Sequence, residues 1–292
     1  MPLRAIFAAL IVALCWGGNF TASKFALHDF PPYLLVFTRF VMVSALLAPI
    51  ALRQPKPNYR DMLIVGILFY VVQFACIFLA LSMGLSITAS IIGTQMGVPF
   101  SCIVSAMLFK DYLGPWRSFG LMVAFLGVVV VAGTPNAAEH SGAFLLSVFA
   151  AISWSCANIY MKRLPPQPIA SMLFWPGLFC LPFLAALSAI FEHDQWQVLQ
   201  QAHASAWLGL SYSMCFSSLL GYGLWNWLLA RYPLSQVVPY TLCVPIFGIT
   251  AGVIFFHEPI TWKIIVGAAM TVAGVGIIIL RRPKLAETPE NS

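Results

Sequence analysis

The sequence predicts an all-α integral membrane protein, with ten transmembrane helices arranged as two inverted five-helix repeats. Three observations carry that prediction. Of the 292 residues, 61% are hydrophobic and 8% charged, against roughly 45–50% and about 25% in soluble domains. A bilayer hides that much apolar surface and a soluble core does not. The apolar residues gather in about ten stretches, each near the ~20 residues a helix needs to span hydrocarbon. The second half of the chain repeats residues of the first, and with five spans per half it must enter the membrane from the opposite side.

The spans follow in order. The first, about 4–26, begins after Arg4; without a clear small-residue cleavage site it reads as a retained span rather than a leader. Pro31-Pro32 opens the second, about 33–52, and Pro55 and Pro57 close it. The third covers about 62–81 and the fourth about 87–108, with Pro99 inside. Gly114-Pro115 opens the fifth, about 116–133, and Pro135-Asn136 marks the link between halves. The sixth covers about 143–161, and Pro165-Pro166 precedes the seventh, about 169–190. The eighth, about 206–229, ends before Pro233; the ninth, about 235–256, holds Pro245 and ends before Pro259; the tenth covers about 262–280. The repeats are thus 4–133 and 143–280, and the polar tail 281–292 is expected to be disordered on the cytoplasmic side.

Charge sets the sides. With the amino terminus in the cytoplasm, twelve of the 15 Lys and Arg residues fall in inside loops. Lys24 and Lys263 fall at outer span ends, and Arg39 lies within the second span. That bias puts both termini in the cytoplasm. The net charge of +6 therefore reports topology and anionic headgroups rather than nucleic acid. All five histidines (His28, His140, His193, His203, His257) fall outside; placement at headgroup level is the expected reading, with pH sensing as the alternative. The seven cysteines all fall in predicted spans and show no metal-type spacing, so they are expected as free, packed thiols.

The repeat is visible residue by residue. Trp16 and Lys24 match Trp154 and Lys162; Pro99 matches Pro245; Gly120 and Gly127 match Gly267 and Gly274. Asp111 matches Glu258, and Leu85-Ser86 matches Leu234-Ser235. Inverted repeats of this kind belong to carriers whose site lies at the repeat interface near the bilayer midplane.

The motifs resemble a known family. Trp16-Gly17-Gly18-Asn19-Phe20 with Lys24, then Leu27-His28, Pro31-Pro32 and Arg39-Phe40, resembles the drug/metabolite transporter superfamily, and within it the EamA-type exporters. Ser153-Trp154 with Asn158 and Lys162, Gly221-Tyr222-Gly223, Arg231-Tyr232, Val244-Pro245 and His257-Glu258 follow the same pattern in the second half, though His257 before the acidic residue departs from it. The resemblance covers nearly the whole chain. It implies ten helices around a central cavity with the fifth and tenth at the periphery. It further implies export of small metabolites, of the cysteine and O-acetylserine kind, across the inner membrane.

Candidate site residues come from polar groups that would be costly in hydrocarbon. Asn19 shares a helix face with Trp16, and Asn158 with Trp154; an amide and an indole from each repeat can line a site, or glue helices together. Gly17 and Gly18 allow close approach and weaken the first helix locally. Pro99 and Pro245 free the carbonyls of Gln95 and Thr241, beside Thr94 and Tyr240; paired breaks of this sort point to a carrier's site and moving parts, against the plainer reading of a kink. Gln73 falls where Tyr222 falls, and Ser218, Tyr222, Trp225 and Asn226 form a polar-aromatic stripe. Arg39 suits either a substrate carboxylate or a structural role. Trp116, Trp207 and Trp262 sit at span ends as interfacial anchors.

All nine acidic residues fall in loops, ends or the tail, and no P-loop is present. The expectation is a facilitator, or a carrier coupled through groups the sequence does not single out, for a small-molecule solute, with the lipid bilayer as its other partner, no cofactor, no resident metal and no nucleic acid. Intramembrane catalysis would need a nucleophile with its base, or a span metal set such as His-x-x-x-His, and neither is present. A broader drug or organic-solute exporter is the alternative, though it would favour an acidic cavity residue. The recurring glycines predict flat helix seams and leave a homodimer open.

Overall fold

In the computed structural model the described residues are 1–97, 99–100, 114–161, 163–165, 167–232, 237, 240–241 and 243–280. Helix α1 (Leu3–Ala26) carries no acid in its first turn and Lys24 in its last, which suits the helix dipole only at the carboxyl end. Pro31 stands as N-cap and Pro32 as first residue of α2 (Pro32–Ala51), where the missing N–H costs nothing. Asn58 caps α3, accepting the Arg60 N–H at 3.0 Å; α3 runs Tyr59–Ser82 with a π-helical middle, Gly66–Gln73. Ser86 caps α4 (Ile87–Thr94) through the Ala89 N–H. Next come α5 (Pro115–Ala132), α6 (Ser141–Met161) and α7 (Ile169–Phe191). Helix α8 joins Ala204–Tyr212, a π-helical stretch Ser213–Gly221, and Tyr222–Arg231. Helices α9 (Cys243–Phe256) and α10 (Trp262–Leu280) complete the described fold. The expected spans and the observed helices agree to within a few residues except in the fourth, where α4 stops at Thr94 inside the expected 87–108, and the ninth, where α9 begins at Cys243 after a 3₁₀ turn rather than near 235. Short helices at Pro135–Glu139 and Gln195–Gln201 sit in the connections and were not expected.

Among the described residues, five helices are long and apolar enough to cross a membrane: α1, α2, α3, α6 and α7. The 24 residues of α1 reach about 36 Å at 1.5 Å per residue. Large apolar side chains stand outward along the helices, among them Phe7, Val129, Leu145, Ile254 and Ile265. Such a belt is untenable in water and natural in lipid. The protein is a multi-pass membrane protein.

Helix α1 is the hub: it packs on α9 and α8 and touches α4. Helix α2 lies along α7, α3 and α4 lie along α6, and α5 lies along α10. The α5–α10 pair explains the recurring glycines. A β-carbon on Gly120 would stand 2.7 Å from the Gly274 carbonyl oxygen, and one on Gly127 would stand 2.6 Å from that of Gly267. The two backbones therefore meet directly, and the seam is spent inside one chain. Near the middle of α1, a β-carbon on Gly17 would lie 2.9 Å from the Val244 oxygen, so Gly17 is where α9 docks.

The connections 27–31, 84–86, 133–140, 192–203 and 257–261 converge on one face, tied together by polar side chains. Glu192 accepts the backbone N–H of Tyr33 (2.6 Å) and of Leu34 (2.9 Å) at the start of α2. Glu258 accepts the N–H of Ile87 (2.7 Å) and Thr88 (3.1 Å) at the start of α4, and Lys24 at 3.2 Å. His257 adopts the left-handed backbone (φ 52°) that turns Glu258 back toward α4. Asn136 accepts the Ser86 N–H and donates to the Gly84 carbonyl, and Gly84 itself needs its φ of 92°. Asp29 accepts the His203 N–H at 2.6 Å. Its carboxyl is lowered to about 2, first by the His28 hydrogen bond and then by that N–H. In three of these ties, carboxylates in the second half meet helix N-termini in the first half, or the reverse, which satisfies orphan amides and the dipole at once.

Candidate functional site

A cavity of about 100 Å³ lies where α1, α3, α4, α6, α8 and the segment before α9 meet. One buried water needs roughly 10–15 Å³ of such space, so the cavity has room for several waters or one small solute. Trp16, Asn19 and Phe20 reach it from α1; Gln73, Phe74, Ile77 and Phe78 from α3; Ala150, Ala151 and Trp154 from α6. Thr94, Gln95, Thr241, Ser217, Tyr222 and Val244 are the other described wall residues. No Asp, Glu, Lys or Arg is among these lining residues.

The wall is built at irregular backbone. Helix α4 stops at Thr94, turns at Gln95–Met96 and resumes before Pro99. In the second half a 3₁₀ turn at Tyr240–Thr241 precedes α9. Non-helical backbone at this depth is tolerated only inside protein or along a cavity, and Ser155 Oγ meets part of the demand by donating to the Gly97 carbonyl. Pro245 is a correction to the expected mid-helix position: it is the third residue of α9, where a proline ring costs little, so the break falls just upstream. Sequence periodicity gave no sign of the π stretches. They end at Gln73 in α3 and at Gly221, next to Tyr222, in α8. Wide turns of this kind are rare and gather at functional sites; here both deliver a polar residue to the cavity.

Four wall residues present polar atoms that no protein group meets: Trp16 Nε1, Asn19 Oδ1, Gln73 Oε1 and Gln95 Nε2 are buried without partners. Native structures rarely leave such atoms unpaired away from a ligand or water. Trp16 packs against Tyr222 and Trp225 with tilted rings (45° and 53°) at centroid distances of 4.9 and 5.2 Å, and its Nε1 sits 2.8 Å from where a β-carbon on Gly221 would stand. Glycine at 221 thus leaves the room that the edge of the indole occupies. Gly18 faces the Tyr212 hydroxyl.

Arg39 lies behind this wall, fully buried. Nε donates to Ser218 Oγ (2.9 Å) and Nη2 to Ser217 Oγ (3.1 Å), while the guanidinium covers the Phe74 ring at 4.4 Å. Nη1 is buried without a hydrogen-bond partner, and Arg39 forms no salt bridge to a described carboxylate. Phe74 and Ser217 are wall residues, so a positive charge stands one side chain back from the cavity.

Of the expected site residues, Trp16, Asn19, Gln73, Gln95, Trp154, Tyr222 and Thr241 come together on the cavity. Asn158 and Asn226 do not. They line a smaller cavity with Val65, Tyr70, Met161 and Trp225, and Tyr222 borders both spaces. Asn158 Nδ2 donates to the Trp154 carbonyl one turn back, because an amide at that spacing reaches its own helix first. Tyr240 packs against the cluster of Ala5, Ala8 and Trp225 instead. Trp207 packs edge-on to Phe30, while Trp116 and Trp262 stand exposed at helix starts, as anchors should. The described cysteines are free thiols, with Cys215 exposed; Cys102, like Asp111 and Lys162, lies outside the described residues. Sequence reasoning missed the roles of Glu192 and Glu258 and the apolar wall of Phe20, Phe74 and Phe78. Only the pairing of Glu258 with Asp111 hinted at the former.

Comparison with known proteins agrees with this architecture. Residues 3–133 and 140–280 each match the model of the EamA-like transporter family. A probable amino-acid metabolite efflux pump of Salmonella typhimurium is 32% identical over 279 residues, covering 93% of both chains. A protein of the same description from Escherichia coli is 29% identical, covering 92% of each. A crystal structure sharing 18% identity superimposes with a TM-score of 0.67 over 96% of this chain and 98% of the other, a likeness in fold.

Proposed function

The chain belongs to the EamA-like transporter family, and from that premise we propose that it exports small amino-acid-related metabolites of the cysteine and O-acetylserine kind across the bacterial inner membrane. The observation that carries this reading is the set of unmet polar atoms on an uncharged cavity. Asn19 Oδ1 and Gln73 Oε1 are acceptors for an ammonium. Gln95 Nε2 is a donor for a carboxylate, and the buried Arg39 adds a favourable field from behind Phe74. The aromatic part of the wall receives the solute's short side chain. The two relatives described as probable amino-acid metabolite efflux pumps support the same class.

In this reading the repeats 4–133 and 143–280 are inverted five-helix units that rock about the central cavity, with both termini and the tail 281–292 in the cytoplasm. The polar ties of the connection face close the outer side. Tyr222 divides the cavity from the smaller space lined by Asn158 and Asn226, which lies on the way to the cytoplasm. The breaks at Gln95–Met96 and Tyr240–Thr241 are the pivots. With no titratable carboxylate among the described wall residues, the protein works as a facilitator down the solute gradient. The many wall aromatics favour, as a second reading, a broader organic-solute exporter of the same superfamily.

The test is counterflow of radiolabelled solutes in proteoliposomes, comparing zwitterionic amino acids and O-acetylserine with organic cations. Asn19→Ala and Gln73→Ala should each lower zwitterion flux at least ten-fold, and Asn158→Ala much less. Equal flux of cations and zwitterions would favour the second reading. Unchanged flux in both cavity variants would remove the site assignment, and uptake driven by a pH gradient alone would remove the facilitator.

A further inference from the structure

At the connection face, outside the cavity, two histidines and an aspartate from distant parts of the chain meet. His28 and Asp29 belong to the turn between α1 and α2; His203 is the N-cap of α8, 174 residues after Asp29. His28 Nδ1 lies 2.8 Å from Asp29 Oδ1, and His203 Nδ1 lies 2.9 Å from Asp29 Oδ2. One donor atom from each residue falls within 4.8 Å of the other two. No spacing rule applied to the sequence finds this set, because the fold alone brings it together.

The chemistry of the set is selective. Two imidazole nitrogens and one carboxylate oxygen, with a fourth position open to water, match the three-ligand pattern of zinc sites, with bonds of about 2.0–2.2 Å. Calcium and magnesium ask for six or more oxygens and find one residue here. The imidazoles are 80% and 75% exposed, so they are free to close the modest remaining distance by side-chain rotation. The aspartate is already aimed: Oδ2 accepts the His203 backbone N–H at 2.6 Å, the kind of outer contact that fixes a ligating carboxylate.

We propose that His28, Asp29 and His203 form a binding site for one divalent transition-metal ion of the zinc class, which ties the α1–α2 turn to the start of α8. Binding stands independently of the transport reading. Its consequence rests on that reading: an ion shared between the two halves holds the connection face shut and inhibits export.

The experiment uses the full-length chain without a histidine tag. Cobalt(II), whose tetrahedral absorption reports coordination, is titrated into the purified protein and then displaced with zinc(II). The expected result is one ion per chain, bound in the micromolar range or tighter. His28→Ala and His203→Ala should each weaken binding at least ten-fold, whereas His140→Ala, on the same face, leaves it unchanged. His28 is so exposed that its removal leaves the fold intact, which a thermal melt checks. Binding weaker than about 1 mM, or equal binding by wild type and His28→Ala, overturns the site. Zinc inhibition of solute flux in wild type but not in His28→Ala supports the clamp; a bound ion with undiminished flux overturns the clamp alone.

Discussion

Replacing Glu258 by Gln isolates the charge that seats α4 on the second half of the chain. The carboxylate serves four donors: the Ile87 N–H and Lys24 on one oxygen, the Thr88 N–H and hydroxyl on the other. Whichever oxygen becomes an amide nitrogen, a backbone N–H at the start of α4 then faces another donor. A hydrogen bond to a charged group contributes about 1.5–3 kcal/mol. The Lys24 bridge, with its lysine 29% exposed, adds at most ~1 kcal/mol. The variant therefore loses about 3 kcal/mol, roughly 100-fold in an opening equilibrium. Amide hydrogen exchange reads this directly. Protection at Ile87 and Thr88 should fall about 100-fold, while α5 and α10 keep theirs. Unchanged exchange at Ile87 and Thr88 would refute the reasoning. An equal fall in α5 and α10 would refute it too, since the loss would then be global rather than a local seal.

Three further outcomes are expected. Gly127→Ala places a β-carbon 2.5–2.6 Å from Thr271 Oγ1 and the backbone of Gly267 and Thr271. Overpacking of about 1–3 kcal/mol should lower the melting midpoint in detergent by roughly 2 °C or more per kcal/mol, and an unchanged midpoint contradicts direct backbone contact. Arg39→Gln keeps a donor for the serines and removes the charge; flux of carboxylate-bearing solutes should fall at least ten-fold with that of their carboxamide analogues spared, and equal loss of both marks a purely structural arginine. The Asp29 carboxyl, lowered to about 2 from 3.8, gives a contact whose contribution is fully present above about pH 4 and lost as pH falls through about 2. The His203 amide resonance should titrate with that midpoint, and a midpoint near 4 excludes the bond.

Much of the fold was legible because lipid imposes a simple rule. Every backbone polar group must be met within the span, so long apolar runs can only be helices, and proline and glycine mark their ends. The cavity was partly legible for the same reason: Asn19, Gln73 and Gln95 were conspicuous as polar residues at apolar depth. Asn158 and Asn226 were equally conspicuous yet line the smaller space, because spacing along a helix fixes a face but not the neighbour it meets. The π stretches of α3 and α8 leave no trace in periodicity. Nor could the sequence tell that Glu192 and Glu258 cap helices 158 and 171 residues away, since a terminal carboxylate looks the same whether it meets water or an amide.

The shielding of Arg39 has a consequence for how the chain is made. A lone arginine at the centre of an inserted helix costs about 2.5–3.5 kcal/mol on insertion scales. The Phe74 ring arrives early, but Ser217 and Ser218, which take the guanidinium protons, are translated 178 and 179 residues later. At roughly 5–20 residues per second, the newborn second helix waits about 9–36 s for those hydroxyls. During that interval its cheapest shelter is a shallow or incompletely seated position in the membrane. Biogenesis of this protein should therefore finish late, with α2 settling to full depth only once α8 has emerged from the ribosome.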